Sequence, residues 1–337
     1  MIQKDLPELF RDFNPIEDKM LRLIDNEGQV VNKKMMPAFE DDFIINAYKL
    51  MFYERVADEM AISYQRQGRM FTYTPNLGQE AIHIAAGLNI RHDDWLVPAF
   101  REMGVLLSKG VTMKDMFLFY LGNENGGSFK NAHNTLPIAI SIGTQFHHAT
   151  GIGYSIKLQE KNEAVYTFIG DGGTSEGDFS ESLNLAVKSV AFGIPGIKVD
   201  GNDFFAMYLA YKTASEHALA GKGPVLIEAF TYRLGAHTTS DDPSKYRKKE
   251  EEVEWSLVDP LLRLEKYMKS KNIWNIDKEE LKEKYRKEID AQFLDAEKNK
   301  SYPLDDVFDY MYSDMPNELI RQKSDYKQFL SWKENRK

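Results

Sequence analysis

Over residues 41–67 apolar side chains recur at Ile44, Tyr48, Met51, Phe52, Val56, Met60 and Tyr64. This is the spacing of one face of a helix and predicts a single long amphipathic helix there. The same criterion predicts helices over Met113–Tyr120 and Thr144–Leu158. Between them, 123–134 is rich in Gly, Asn and Ser and suits a loop. Residues 94–100 form a short apolar run that ends at Arg101. The third helix leads into a second run, 164–169, which stops at Gly170-Asp171-Gly172-Gly173. Strand followed by a glycine-rich turn is the reading. Further on, 176–192 predicts a helix, 196–199 a short strand, 204–220 a helix and 225–232 a buried strand. Strands alternating with helices imply an α/β fold with a mostly parallel sheet covered by helices on both faces.

The remainder is charged and helical. Asp259-Pro260 reads as an N-cap with proline in the first turn, and Asp277 as an N-cap with Glu280 three residues on. Ile276 and Leu281 form the matching hydrophobic staple, and Leu281, Tyr285, Ile289 and Phe293 fall on one face. With neither a repeat nor a low-complexity linker, the 337 residues divide into an N-terminal arm (1–40), one α/β domain (41–258) and a C-terminal helical extension (259–337).

Charge narrows the function. With 52 acidic against 43 basic side chains, net −9, a broad basic surface for nucleic acid is not expected. The absence of cysteine excludes disulfides, thiolate nucleophiles and cysteine-bound metal, and agrees with a reducing cytoplasm. No apolar run approaches the length of a membrane span, and the charged opening segment does not read as a secretory signal, so a cytoplasmic protein is expected.

The turn at 170–173 is the chemical focus. Ligands of open α/β sheets gather beyond the carboxyl ends of the strands, and glycine lets a diphosphate approach the backbone closely. Asp171 adds the hard oxygen that suits Mg²⁺. The same residues also suit an ordinary strand-to-helix turn with Asp171 near a helix N-terminus. A dinucleotide fingerprint fails because Ser175 stands where its third glycine belongs. Gly173-Thr174-Ser175-Glu176-Gly177 fits the serine-hydrolase elbow, with Asp203 and His237 following in triad order, although Gly170-Asp171-Gly172 separates the strand from the serine turn.

Several segments, in order, carry a more specific signal: Gly78-Gln79-Glu80-Ala81, Pro98-Ala99-Phe100-Arg101-Glu102, Ile142-Gly143-Thr144-Gln145 and the run from Gly170 to Asp178. Gly193-Ile194-Pro195-Gly196, Gly223-Pro224 and Thr231-Tyr232-Arg233 continue it, through His237 to Asp242-Pro243-Ser244-Lys245-Tyr246-Arg247. Together they resemble the alpha subunits of the thiamine-diphosphate-dependent 2-oxoacid dehydrogenases, especially the bacterial pyruvate and branched-chain types. The resemblance implies a thiamine-diphosphate-binding fold, with the cofactor held between an alpha and a beta subunit in an α2β2 assembly, and service to a lipoyl acyltransferase core. It implies oxidative decarboxylation of pyruvate and transfer of the two-carbon unit to a lipoyl group. Branched-chain 2-oxoacids or acetoin are the alternative substrates, and a non-catalytic binding subunit is the alternative role.

By the same resemblance Phe100 and Arg101 flank the diphosphate, an apt place for a guanidinium that can bond phosphate oxygens in pairs. Ile142 and Gly143 address the aminopyrimidine, although an isolated Ile142 would be read as core packing. Gly170, Asp171, Gly172 and Gly173 form the diphosphate turn, with Asp171 the Mg²⁺ ligand. His237 and Arg233 stand at the mouth, where an imidazole titrating near neutrality suits proton transfer. Thr238, Thr239 and Ser240 match a loop phosphorylated in mitochondrial relatives. His133, His147 and His148 are expected to be structural or surface groups.

One departure is large. The family's turn is followed by a helix and a further buried strand ending in an Asn-Asn pair that completes the Mg²⁺ site. Here Asn184-Leu185-Ala186 passes straight into Val187-Lys188-Ser189, and the sequence contains no Asn-Asn pair. The spacing implies that a segment the size of a βαβ unit, about 30 residues, is missing at about 186–188, whether excised or deleted.

Overall fold

The computed structural model describes residues 8–16, 19–187 and 193–336. After a short helix α1 (Glu8–Asp12) comes the long α2 (Asp41–Arg66), with Ile44, Tyr48, Met51 and Val56 buried as their spacing requires. Helix α3 (Glu80–Gly87) is buried on every side, packed by α2, by α4 (Met103–Ser108) and by α8 (Phe204–Leu219). Strand β1 (Trp95–Val97) lies between α3 and α4 in the chain, and α5 (Met113–Tyr120) starts on a capping box of Thr112 and Asp115. Then follow α6 (Thr144–Leu158), β2 (Val165–Thr167), α7 (Gly177–Val187), β3 (Gly196–Asp200) and β4 (Leu226–Phe230). Residues 188–192, which the spacing assigns to the end of the helix over 176–192, lie outside the described residues.

The expected sheet is divided. Strand β1 pairs in parallel with β2, and β3 in parallel with β4, as two separate two-stranded sheets. Single bridges add Thr135 beside Leu96 of β1 and Leu21 beside Val199 of β3. Among the described residues, β2 and β4 therefore each keep one edge without a strand. This corrects the expectation for 225–232: β4 is only partly covered, and Phe230 is 49% exposed. A parallel strand is buried when neighbours and helices cover it, and β4 has a neighbour on one side only.

Buried ionic contacts tie the ends of the chain to this body. Arg263 of α10 (Pro260–Ser270) is 1% exposed, donates to the carbonyls of Ile24 and Asp25, and bonds Asp200 at the end of β3 at 2.8 Å. Asp203 caps α8 through Phe205 and Ala206 N–H, while its second oxygen accepts from Leu23 and Ile24 N–H. Asp259 and Asp277 cap α10 and α11 (Lys278–Lys298) through N–H groups in the first turns. Helix α11 packs on α2 and α5, with Ile289 and Phe293 buried. Beyond it, α12 (Leu304–Phe308) and α13 (Asn317–Glu334) pack on each other, after the intervening α9 (Lys249–Ser256) and α10 earlier in the chain. No helix among the described residues is long and apolar enough to cross a membrane.

Candidate active site

Because β1 and β2 run parallel in register, Val97 beside Thr167, the segments that leave them emerge at the same end. One is Phe100-Arg101 and the other the turn 170–173, the place where open α/β sheets collect ligands. The segment after β4 carries Arg233 and His237. It meets the first at Arg101, whose Nη2 donates to the His237 carbonyl at 2.8 Å and lies 3.3 Å from His237 Nδ1. Nη1 of Arg101 donates to the Pro75 carbonyl. The Phe100 ring completes the group: the Arg101 guanidinium is 5.4 Å from its centre and the His237 ring stands perpendicular to it at 6.3 Å.

Positive charge accumulates here. Arg233 Nη1 donates to the Gly235 carbonyl at 2.6 Å, as Arg247 Nη1 does at 2.9 Å. The Arg101 and Arg233 head groups bond carbonyl and imidazole groups and, for Arg233, the Tyr246 side chain, while Glu102 and Asp241 act on them only through space. Burial, then repulsion from Arg233, pushes Arg101 down to about 10. Arg233 is lowered by burial and then by Arg247, and His237 by burial and then by Arg101 and Arg233. Arg101 and Arg233 are half-buried and His237 is exposed, so the group presents its charge at the surface beyond the strand ends.

The turn itself is open. Gly170, Asp171 and Gly172 are exposed, and a Cβ on Gly170 or Gly172 would meet nothing within 4 Å. Gly173 is closed in: a Cβ there would come within 2.8 Å of Ile142 Cγ2 and 2.6 Å of Ile169 Cγ1. Ile142 thus touches the turn, and at 45% exposure it is not the core residue that an isolated isoleucine suggests. Gly143 starts α6 at φ +95°, where a Cβ would press on Asp178 at 2.9 Å. Phe100, Arg101, Arg233 and His237 form one group and Ile142, Gly143 and Gly173 another, both at strand carboxyl ends.

The alternative hydrolase reading finds no support. The hydrolase triad is not assembled: Ser175 is exposed in the turn, Asp203 is fully buried and occupied by backbone N–H groups, and His237 is bonded to Arg101. His147 lies at the surface in a polar cluster, in keeping with the expectation for it. Its ring nitrogens lie 3.2 Å from Asp178 and 3.7 Å from Glu181, and His92 stacks on His133. These two clusters are the places among the described residues where three metal-ligating side chains converge, and Asp171 is in neither.

Sequence reasoning missed Asp241 and Arg247 as organisers of the loop. Asp241 accepts from His237 N–H at 3.0 Å and from the Tyr246 hydroxyl, and Arg247 lies over the Tyr232 ring at 4.7 Å. Both fall inside or beside the quoted run 242–247, but their type alone assigns no partner.

The profile of the family described as dehydrogenase E1 component matches residues 48–190 and 186–304. The chain belongs to that family. Among its relatives, "pyruvate dehydrogenase E1 component subunit alpha" of Acholeplasma laidlawii is 40% identical over 344 residues, covering 91% of this chain and 99% of the relative. The protein of the same description from Mycoplasma genitalium is 36% identical over 350 residues, covering 94% and 98%. That from Staphylococcus aureus (strain Mu50) is 35% identical over 344 residues, covering 92% and 93%.

Proposed function

We propose that the chain is the alpha subunit of a pyruvate dehydrogenase E1 component. With a beta subunit in an α2β2 assembly, it binds thiamine diphosphate, decarboxylates pyruvate and passes the acetyl unit to a lipoyl group of the acyltransferase core. The near full-length similarity to relatives of that description supports the assignment. So does the family's dependence on thiamine diphosphate. The observation that carries it is the Arg101–Arg233–His237 cluster, in which repulsion between the cations outweighs the pull of Glu102 and Asp241 and which stands where the strands end.

The fold is read accordingly as the thiamine-diphosphate-binding α/β domain of 41–258 between an arm (1–40) and a helical extension (259–337), in the cytoplasm. Arg101 would hold the diphosphate through charge-assisted bonds, with the Phe100 ring excluding water beside it, and Arg233 would stand with His237 at the mouth. Gly170 and Gly172 leave open space beside the backbone where phosphate oxygens would fit, and Ile142 and Gly143 would address the aminopyrimidine. When bound, the cofactor supplies the stabilisation of a carbanion that no side chain here offers. His237 accepts at Nδ1 from Arg101, which can only donate, so its neutral ring carries the proton on Nε2 and presents a donor at the mouth.

Mg²⁺ fits less well. Asp171 offers one carboxylate to a cation that normally also takes phosphate and other oxygens, and among the described residues it belongs to no cluster of three metal-ligating side chains.

The test is an assay of purified chain with and without its beta subunit, across pyruvate, branched 2-oxoacids and acetoin. Turnover is expected only with both subunits and fastest with pyruvate. Turnover by the isolated chain would refute the shared site, and a preference for another substrate would reassign the enzyme within its family.

A further inference from the structure

The interruption between β2 and β3 has a counterpart at the cation site. In a parallel sheet interior strands have neighbours on both sides. Here β1 has β2 and Thr135, and β3 has β4 and Leu21, whereas β2 and β4 each keep a bare edge among the described residues. The family profile matches in two runs that meet at 186–190, between β2 and β3. The relatives align over 350 and 344 residues, more than the 337 of this chain, so they carry residues with no counterpart in it. A parallel strand needs a crossover on each side of it, and one strand with its helix takes about 30 residues.

The loss falls unevenly on the site. The turn holding Asp171 follows β2 directly, so a strand on the bare edge of β2 would end beside it. Without that strand, Asp171 is exposed and a Cβ on either neighbouring glycine would meet nothing within 4 Å. The cationic cluster comes from the segments after β1 and β4, and its contacts are complete: Arg101 to Pro75 and His237, Arg233 to Gly235, His237 to Asp241.

We infer that this chain has lost, together with one strand between β2 and β4, the wall that holds a divalent cation against Asp171. It retains thiamine diphosphate by direct contact of the diphosphate with Arg101, beside Arg233 and His237, without a bridging cation. This rests on the function proposed above and departs from the family's usual cation-bridged anchoring.

The experiment titrates thiamine diphosphate into the assembled alpha and beta subunits, once with EDTA and once with excess magnesium chloride. Tryptophan fluorescence reads binding, and elemental analysis of the dialysed complex reads magnesium per bound cofactor. The expected result is a Kd that differs by less than about threefold between the two conditions, well under 1 kcal/mol, with bound magnesium far below one per cofactor. A Kd weakened about tenfold or more by EDTA, with one magnesium per cofactor, overturns the inference and leaves the proposed function standing. No binding under either condition overturns the cofactor assignment and the inference with it.

Discussion

Arg101 and His237 lie 136 residues apart in sequence, yet the guanidinium of the first is bonded to the backbone of the second at 2.8 Å and faces its Nδ1 at 3.3 Å. This contact joins the segments leaving the two half-sheets. It also sets the chemistry of the ring, because a guanidinium has no lone pair to give and Nδ1 must accept. Burial and two nearby cations favour the same neutral form. The pair therefore presents an anion with two kinds of donor, a permanent charge and an Nε2 proton.

Replacing Arg101 should weaken cofactor binding more than it weakens the fold. A hydrogen bond to a charged group is worth about 1.5–3 kcal/mol, so Arg101→Ala is expected to raise the Kd for thiamine diphosphate roughly 10- to 100-fold. Arg101→Lys should recover part of the loss, since it keeps the charge but not the planar fork. Calorimetric titration of the assembled subunits decides the matter, and an alanine variant that binds normally would remove Arg101 from the site.

The histidine predicts a proton balance. Its pKa in the folded chain is below the ordinary 6.5, so the stability it contributes is fully present above 6.5 and is lost as pH falls through the lowered value. A bound diphosphate adds negative charge beside the ring and pulls that pKa back up. Binding slightly below neutral pH should then take up protons through His237. Titrations in buffers of different ionisation enthalpy measure the net exchange. Phosphate groups themselves titrate near pH 6, so the comparison with His237→Asn isolates the contribution of the ring. Equal proton exchange in the two proteins would show that His237 does not sense the cofactor.

What could be read from sequence was local. Helices α5 and α6 begin and end where the apolar spacing predicts, and the caps at Asp259 and Asp277 form because an Asx side chain needs only the next turn of its own chain. The run 225–232 was misjudged because an apolar strand reads the same whether or not a neighbour covers it, and its neighbours are settled by distant segments. The Ser175 elbow failed for the same reason: triad order along a chain says nothing of which residue Asp203 will meet, and it meets the backbone of Leu23 and Ile24. Phe100, Arg101, Arg233 and His237, which the family motifs single out, lie in contact or in electrostatic reach of one another. They did not indicate Asp241 or Arg247, whose roles exist only once the loop is folded.

The helical tail offers a test of which parts belong to the body. Phe293 of α11 is fully buried, stacked on Tyr64 at 3.7 Å and met edge-on by Phe117 at 5.0 Å, with the Arg69 guanidinium 4.5 Å from its centre. These partners come from α2 and α5 and from the residues just after α2, so the ring pins the tail to the core. Truncating it removes buried apolar surface and leaves a cavity that neighbouring rings cannot collapse to fill. Phe293→Ala is expected to cost about 3–5 kcal/mol. Phe329 of α13 is a ring of the same type, 48% exposed and stacked only on its own helix neighbours Tyr326 and Trp332. Phe329→Ala is expected to change stability by less than about 0.5 kcal/mol, as surface substitutions away from packed groups do. Urea unfolding of the two variants beside the parent chain reads the difference. Equal losses would mean that α13 packs on the body in solution, and a negligible loss at Phe293 would mean that α11 does not.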